Sequence, residues 1–215
     1  MISQNFCQNN GSFTDITNDE IDSHNDSQAS AFCYDNQSDR VVVGSVHGQI
    51  SVVDGSTGEN IHSGWLDERA TRNMRPKVTN LAVCPISPHL VMASCGTRKH
   101  QIRIIDLRVS IRPVLRCGMD LTSGYHNQIV PAWEPNSGVI VAPYNQAQTK
   151  DGKNVLALYD TRFVGIRKNE ASFYGPLDAG TMSVHFNTMN ALADGTMVTA
   201  GTDGIVRQFN YYQAI

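Results

Sequence analysis

The sequence predicts an all-β protein in which about four small sheets are arranged radially, as the blades of a β-propeller. Four runs of β-branched or aliphatic residues each end at a short polar side chain, at positions 54, 106, 160 and 210. The intervals of 52, 54 and 50 residues indicate a repeat, and a repeat of short strands is typical of stacked or radial β architectures. No stretch of about 12 or more residues has the apolar spacing of an amphipathic helix, so long helices are not expected.

The beginning of the chain differs in composition from the rest. Residues 1–28 are rich in Asn, Asp, Gln and Ser, and their few apolar residues are isolated. Such a composition buries too little apolar surface to offset the entropy lost on folding. We therefore predict a flexible polar arm over residues 1–28 and propeller blades over residues 29–215.

The first two repeat units each contain four predicted strands, separated by polar turn residues. The strands of the first unit are predicted at 29–34, 40–45 and 49–54, with a fourth, outer strand near Ile61. Those of the second unit are predicted at 78–83, 89–94, 101–108 and 113–117. The segment 64–77 between the two units is expected to be mostly an inter-blade loop.

The last two units each show three predicted strands. They are 128–133, 139–142 and 154–162 in the third unit, and 182–186, 196–200 and 205–211 in the fourth. The tight-turn residues of segment 201–204 separate the last two strands. Three or four short strands per unit match the four-stranded blade of a propeller.

Composition and charge indicate a globular protein with a substantial core and no electrostatic attraction to phosphate. Apolar residues make up 40% of the chain, and the formal net charge is −3. The five cysteines include no Cys-x-x-Cys pair, so we predict reduced, buried thiols rather than a zinc site. No apolar run is as long as a signal peptide or a membrane span, and we expect an intracellular protein, nuclear and/or cytoplasmic.

Several segments resemble the core of a WD repeat. They are 91–94 followed by 102–108, then 155–162, and then 197–209, and the resemblance covers roughly residues 29–212. It implies a WD-type propeller that binds other proteins. The chain departs from the family pattern in two respects: Ile105, Tyr159 and Phe209 stand where the Trp of the Trp-Asp pair belongs, and only segment 124–126 is similar to the Gly-His that opens many such repeats.

Two strand ends resemble the motif that marks WD-repeat substrate receptors of cullin-4 RING ubiquitin ligases. Asp106 and Arg108, like Asp160 and Arg162, form an Asp-x-Arg sequence. The order of segments is also similar to the C-terminal half of the cullin-4-associated factor 4 type of receptor. The resemblance implies that these four residues contact the ligase adaptor. The alternative is an ion pair within each blade, in which the Asp accepts hydrogen bonds from turn amides.

Trp65 is the predicted anchor for a further protein partner. It lies in a polar segment with Arg69, Arg72 and Arg75 nearby, which suits an acidic peptide, and aromatic side chains dominate binding hot spots. In the receptor hypothesis the loops around Trp65 and the segment 143–153 face the substrate. Trp133, at the end of an innermost strand, is expected to belong to the core instead.

Two other functions remain as alternatives. Segments 77–108 and 132–135 resemble a damaged-DNA-binding WD protein, which implies that Tyr125 and His126 form a wedge that probes DNA. The absence of phosphate-binding charge in the sequence counts against DNA binding, and nucleic acid is not an expected partner. The remaining alternative is a plain scaffold with no link to a ligase.

The sequence contains no recognisable catalytic, cofactor or metal-binding motif. It has no Gly-x-Ser-x-Gly elbow, His-Glu-x-x-His pair or phosphate loop, and its seven His residues are scattered. We therefore expect a protein that is not an enzyme and has no cofactor and no metal ion. Asp203 is expected to anchor a buried hydrogen-bond network, with Thr202 and His185 as candidate partners.

Four units are fewer than the seven or so blades usual for WD-type rings. An incomplete ring leaves strand edges exposed at both ends, which invites aggregation or pairing. We expect the chain to be part of a larger ring; completion by the arm and a partner, dimerisation, and closure with four blades are the alternatives. The sequence leaves the oligomeric state and the identity of the partners open.

Overall fold

The computed structural model of the protein describes residues 28–67, 70, 75–122, 129–145, 149–150, 155–164, 171–178, 186–192, 194–201 and 204–210. Within these ranges the chain forms fifteen strands in four antiparallel sheets, each with its strands in chain order. The fold is therefore all-β, with about four blades, as predicted. The predicted arm lies outside the described residues except for Gln28, whose carbonyl accepts a hydrogen bond from the Val46 N–H at 3.0 Å. No described residue belongs to a helix long and apolar enough to cross a membrane.

Each sheet is one blade, numbered here from the start of the chain. Blade 1 consists of β1 (Ala29–Asp35), β2 (Arg40–Ser45), β3 (Gln49–Asp54) and β4 (Asn60–Trp65). Blade 2 consists of β5 (Val78–Cys84), β6 (Ser87–Cys95), β7 (Ile102–Asp106) and β8 (Pro113–Cys117). Blade 3 consists of β9 (Ala132–Trp133), β10 (Val139–Tyr144), β11 (Val155–Val164) and β12 (Ala171–Asp178). Blade 4 consists of β13 (Phe186–Ala191), β14 (Thr196–Gly201) and β15 (Val206–Asn210).

Successive blades pack face to face, and a separate apolar cluster fills each of the three interfaces. Ile50 and Val91 lie in the cluster between blades 1 and 2, and Ile104 and Ile140 lie in the one between blades 2 and 3. The third cluster joins blade 3 to Met197 of blade 4. The first strands of successive blades also contact one another, β1 with β5, β5 with β9 and β9 with β13, as expected for strands around a common axis.

Strands β7 and β10, in the middle of blades 2 and 3, are buried along their whole length because a neighbouring blade covers each face. All five residues of β7 and all six of β10 are buried. Continuous apolar runs of this kind are what a strand covered on both faces requires. The β7 run, which Arg103 interrupts, is one of the four runs that made the repeat visible in the sequence.

The strand register confirms the predicted repeat. The polar residue that ends each run lies opposite the early part of the second strand of its own blade. These pairs are Asp54 with Arg40, Asp106 with Leu90, Asp160 with Val139 and Asn210 with Thr196. The four units are therefore structurally equivalent at these positions.

The predicted strands of blades 1 and 2 are confirmed, but those of blades 3 and 4 need correction. The outer strand β12 was not predicted, because it contains Gly175 and Pro176, two residue types depleted in strands. Proline is tolerated there because β12 is at the edge of its sheet. Of the predicted strand at 182–186, only Phe186, the first residue of β13, lies within the described residues, and β13 extends beyond the prediction to Ala191.

The described cysteines match the prediction of reduced thiols, and most are buried. Cys84, Cys95 and Cys117 are buried and Cys33 is half-buried, and all four are free. Burial raises the pKa of Cys95 to about 11 and that of Cys33 to about 12, because the thiolate loses its hydration. These thiols therefore stay protonated and act as small apolar side chains.

Candidate protein-interaction site

The polar residues at the ends of the third strands lie at one rim of the propeller. The third strands of successive blades run in the same direction in this fold, so their last residues reach the same side. We call this side the Asp rim; it consists of the loops that follow the first and third strands, including 36–39, 55–59, 107–112 and 134–138. The other side, with the loops that follow the second and fourth strands, is called the opposite rim.

Carboxylates at the Asp rim close their loops by accepting backbone hydrogen bonds from residues two positions later. Asp35 accepts from the Gln37 N–H at 3.0 Å, and Asp54 accepts from the Ser56 N–H at 3.0 Å. The Ser56 hydroxyl, ahead of the backbone amides, lowers the pKa of Asp54 to about 2. These acidic residues are therefore part of the turn structure at the ends of their strands.

Asp106 holds Arg108 in a bidentate ion pair within the loop that follows β7. The Nε–H of Arg108 donates to Oδ1 at 3.0 Å and Nη2 donates to Oδ2 at 2.8 Å. The Arg108 backbone N–H also donates to Oδ1, at 3.0 Å. The guanidinium bond is the main reason that the pKa of Asp106 falls below its ordinary value. The pairing within the blade that we considered in the sequence is therefore present.

This pair is nevertheless open to a partner on one side. The Asp106 side chain is 12% exposed, whereas the Arg108 side chain is 65% exposed. The buried carboxylate fixes the guanidinium, and the remaining N–H groups of the fork face solvent. A guanidinium fixed in this way can donate to a carboxylate or a backbone carbonyl of another protein.

Asp160 occupies the equivalent position in blade 3 but a different local structure. It is buried inside β11, which continues to Val164, whereas β7 ends at Asp106. Next to it, the Thr161 hydroxyl donates to the Gly138 carbonyl at 2.7 Å. The structure brings the two Asp-x-Arg motifs to the same rim of adjacent blades. The Arg162 side chain lies outside the described residues.

Trp65 is the last residue of β4 at the opposite rim rather than the tip of a loop. It is half-buried, and the guanidinium carbon of Arg75 lies 3.8 Å from the centre of its ring. The Arg75 Nε–H also donates to the Ala70 carbonyl at 3.2 Å, which fixes the cation over the ring. The pair offers a partner an aromatic edge beside a positive charge.

The opposite rim also carries a charge cluster that no sequence motif indicated. Around the Asp120 carboxylate lie Lys150 at 2.6 Å, Lys99 at 3.5 Å and Arg98 at 3.7 Å. The hydrogen bond from Lys150 is the main cause of the lowered pKa of Asp120. Three described cations surround one carboxylate, so this surface has an excess of positive charge. The only sequence signal was the adjacent pair of cations at 98 and 99.

The remaining predicted residues divide between the core and the undescribed segments. Trp133 is buried, and its Nε1–H donates to the Ala82 carbonyl of blade 2 at 3.2 Å, which confirms its place in the core. Tyr125, His126 and Asp203 lie outside the described residues. Within the described ranges, no three His, Cys, Asp or Glu side chains are placed to share a metal ion.

The sequence matches no protein-family model and no curated protein, whereas solved structures match its fold. The WD40 repeats of RRP9 match with a TM-score of 0.60 and 12% identity, over 88% of this chain and 50% of that one. The β-propeller domain of Cps50 (Swd1) from Myceliophteria thermophila matches with a TM-score of 0.61 and 13% identity, over 86% and 54%. A chain of the mitotic checkpoint complex matches with a TM-score of 0.59 and 14% identity, over 85% and 49%.

The protein spans about half the length of these solved chains. At such low identity the likeness concerns the fold alone. It agrees with the four sheets, their order and the three interfaces described above. The chain therefore has an all-β, WD-type β-propeller fold with about four blades.

Proposed function

We propose that the chain is a protein-interaction module that binds a partner through the Asp rim. The observation that carries this proposal is the exposed Arg108 guanidinium, which the mostly buried Asp106 carboxylate holds in place. A side chain that is already ordered loses little conformational entropy on binding, so its contacts count almost fully toward affinity. One protein of similar fold was solved within the mitotic checkpoint complex, which supports a role for such propellers in assemblies.

We further propose that the partner is the adaptor of a cullin-4 RING ubiquitin ligase, which makes the chain a substrate receptor. The resemblance of the two Asp-x-Arg sequences supports this assignment. Their equivalent strand registers, Asp106 opposite Leu90 and Asp160 opposite Val139, add further support. Equivalent positions in adjacent blades lie side by side on one rim, so a single partner surface can contact both.

In this proposal the substrate binds at the opposite rim. The Trp65–Arg75 pair supplies an aromatic anchor there, and the cations around Asp120 supply positive charge. An aromatic anchor beside positive charge favours an acidic segment of a substrate protein. The adaptor and the substrate then occupy different sides of the propeller and do not compete.

The experiment is a binding titration of the 215-residue chain against the purified cullin-4 adaptor. The variant Arg108→Ala/Arg162→Ala is expected to bind at least about tenfold more weakly, since interface arginines are frequent hot spots. Arg98→Ala, an exposed arginine on the opposite rim, is the matched control and should bind like the wild type. Unchanged thermal unfolding midpoints of the variants establish that the fold is intact.

Two outcomes contradict the ligase assignment. One is the absence of adaptor binding by the wild-type chain, and the other is binding that the double variant retains. In either case the Asp-x-Arg motifs are structural, and the chain is a scaffold of another assembly. Tight, salt-sensitive binding to duplex DNA would instead support the DNA-binding alternative.

A further inference from the structure

The face of blade 1 that points away from blade 2, here called the leading face, is exposed along β1. Strand register places alternate residues of β1, β2 and β3 on it, and several are large and apolar. Phe32 is 65% exposed and Tyr34 is 55% exposed. The other members of the leading face are Val41 and Val43, which are half-buried, and Ser51 and Val53, which are buried, so the open part of this face lies along β1. The intervening residues of β1, such as Cys33, pack against the cluster shared with blade 2.

In every later blade the corresponding face is covered by the blade before it. Leu81 of β5 lies in the interface with blade 1, and Trp133 of β9 lies in the interface with blade 2. Met189 of β13 lies in the interface with blade 3. All three side chains are buried, whereas Phe32 at the equivalent strand of blade 1 is exposed. Within the part of the chain that the structure describes, the β1 side of the leading face is therefore a blade interface with no preceding blade packed on it.

Blade 4 has the reverse arrangement. Met197 and Phe209 pack towards blade 3, so the alternate residues of its strands form an open trailing face. Val206 on this face is 67% exposed. The other described members of the trailing face are Asn190, Gln208 and Asn210, which are exposed, Val198 and Ala200, which are half-buried, and Thr196, which is buried. In blades 1, 2 and 3 the equivalent face, with residues such as Val42 and Leu158, contacts the next blade.

The leading and trailing faces of one chain do not cover each other, because Phe32 and Val206 are both largely exposed. We propose that two copies of this chain associate head to tail, with the leading face of each on the trailing face of the other. The surface that the leading face lacks is the trailing face of a blade, and the chain itself carries one. Two chains of four blades related by a twofold axis give eight blades, within the range of roughly four to eight known for propellers.

The two faces are also complementary in size and polarity. The rings of Phe32 and Tyr34 project from the leading face, whereas Val198 and Ala200 at the middle of the trailing face are short. Large side chains against short ones are what close packing of two sheets requires. Burial of the aromatic rings supplies the driving force, and aromatic residues are enriched at interfaces for this reason.

The proposal does not depend on the proposed adaptor contact, because neither open face includes Arg108. It has one consequence for that contact. The twofold axis coincides with the propeller axis, so both Asp rims point to the same side. A closed pair then presents two copies of the Asp106–Arg108 element to partners on that side.

The test is the molar mass of the 215-residue chain in solution, measured by size-exclusion chromatography with light scattering. The molar mass of the wild type is expected to be twice the 23.6 kDa of one chain. Phe32→Asp and Val206→Asp should each reduce the mass to that of one chain, because each places a charge in the contact. Val109→Asp is the matched control, since Val109 is 72% exposed in a loop of the Asp rim and should remain paired.

Val206→Asp distinguishes two modes of association. It should dissociate a head-to-tail pair, whereas a pair formed by two leading faces would not be affected. A second measurement does not depend on how the Asp variants fold. The variant Phe32→Cys/Val206→Cys, treated with a short thiol cross-linker, should give a covalent pair on a denaturing gel, and each single Cys variant should give far less.

Three outcomes would overturn the proposal. The first is a wild-type mass of one chain at all concentrations up to the limit of solubility. The second is a mass that grows beyond two chains with concentration, which indicates an open head-to-tail assembly instead of a closed pair. The third is a pair that neither Asp variant dissociates and that the double Cys variant does not cross-link.

Discussion

At the scale of single residues, the interface between blades 2 and 3 contains a buried polar group of three side chains. The Tyr144 and Tyr159 hydroxyls are 3.0 Å apart, and the Tyr144 hydroxyl also donates to Gln101 Oε1 at 3.5 Å. Burial raises the pKa of both phenols well above the usual range, so both remain neutral. Buried hydroxyls need partners, and these residues supply them to one another.

The hydroxyl pair predicts a cost for removing one member. Tyr144→Phe keeps the ring but leaves the Tyr159 hydroxyl without this partner, and it should lower the free energy of unfolding by about 1–3 kcal/mol. The measurement is urea denaturation of the wild type and the variant. Tyr34→Phe is the control, because the Tyr34 hydroxyl is exposed and bonds Asp39 at the surface. An equal or larger loss in Tyr34→Phe would contradict this account.

Single residues also show what sequence can and cannot reveal about the site. The Asp-x-Arg motif predicted that Asp106 and Arg108 act together. Their ion pair could be expected from the sequence, because only one residue separates them. The cluster around Asp120 was not predictable, because Lys99, Asp120 and Lys150 come from three separate loops. Their proximity depends on how blades 2 and 3 are stacked, which no local pattern encodes.

At the scale of elements, blades 1 and 2 approach so closely that glycine is required on one strand. A Cβ atom at Gly44 of β2 would lie 2.5 Å from Val78 Cγ1 of β5. A Cβ atom at Gly64 of β4 would lie 3.1 Å from Ile111 Cβ, a milder contact. The inner part of the interface is therefore the tighter one.

The two glycine contacts predict which of two alanine substitutions lowers the stability more. Gly44→Ala forces β2 and β5 apart and should cost about 1–3 kcal/mol of unfolding free energy, the usual range for overpacking. Gly64→Ala is the matched control and should cost less. The comparison is made by urea denaturation of the two variants beside the wild type. The packing at this interface would need revision if Gly64→Ala proved the more destabilising change.

The strands differ in how well the sequence predicts them, and the reason is burial. Strands β3 and β7 have apolar residues bounded by turn residues, so their limits were nearly correct. The outer strand β12 pairs with β11 on one side only, and its Gly and Pro residues gave no strand signal. The extension of β13 to Ala191 was not predicted, because it depends on Met189 and Ala191 packing against blade 3, a tertiary contact.

At the scale of the whole molecule, the blades form a linear series in which each contacts only its neighbours. The free energy of unfolding of such a series is approximately the sum of the contributions of the single blades and of the interfaces between them. Among the described residues, blades 2 and 3 are covered on both faces. Blades 1 and 4 each have one face that is partly exposed, at Phe32 and Val206 respectively. The end blades are therefore the positions where association changes the molecule most, and the rim loops remain free for other partners.

The central claim is that β6, β7, β10 and β11 form a core covered on both faces by neighbouring blades. Amide hydrogen–deuterium exchange, followed by mass spectrometry of peptides, tests it directly. Exchange reports local opening, which is rarest in buried strands with complete hydrogen bonding. The account predicts the slowest exchange in these four strands and fast exchange in the rim loop 55–59. Exchange in β7 and β10 as fast as in that loop would contradict it.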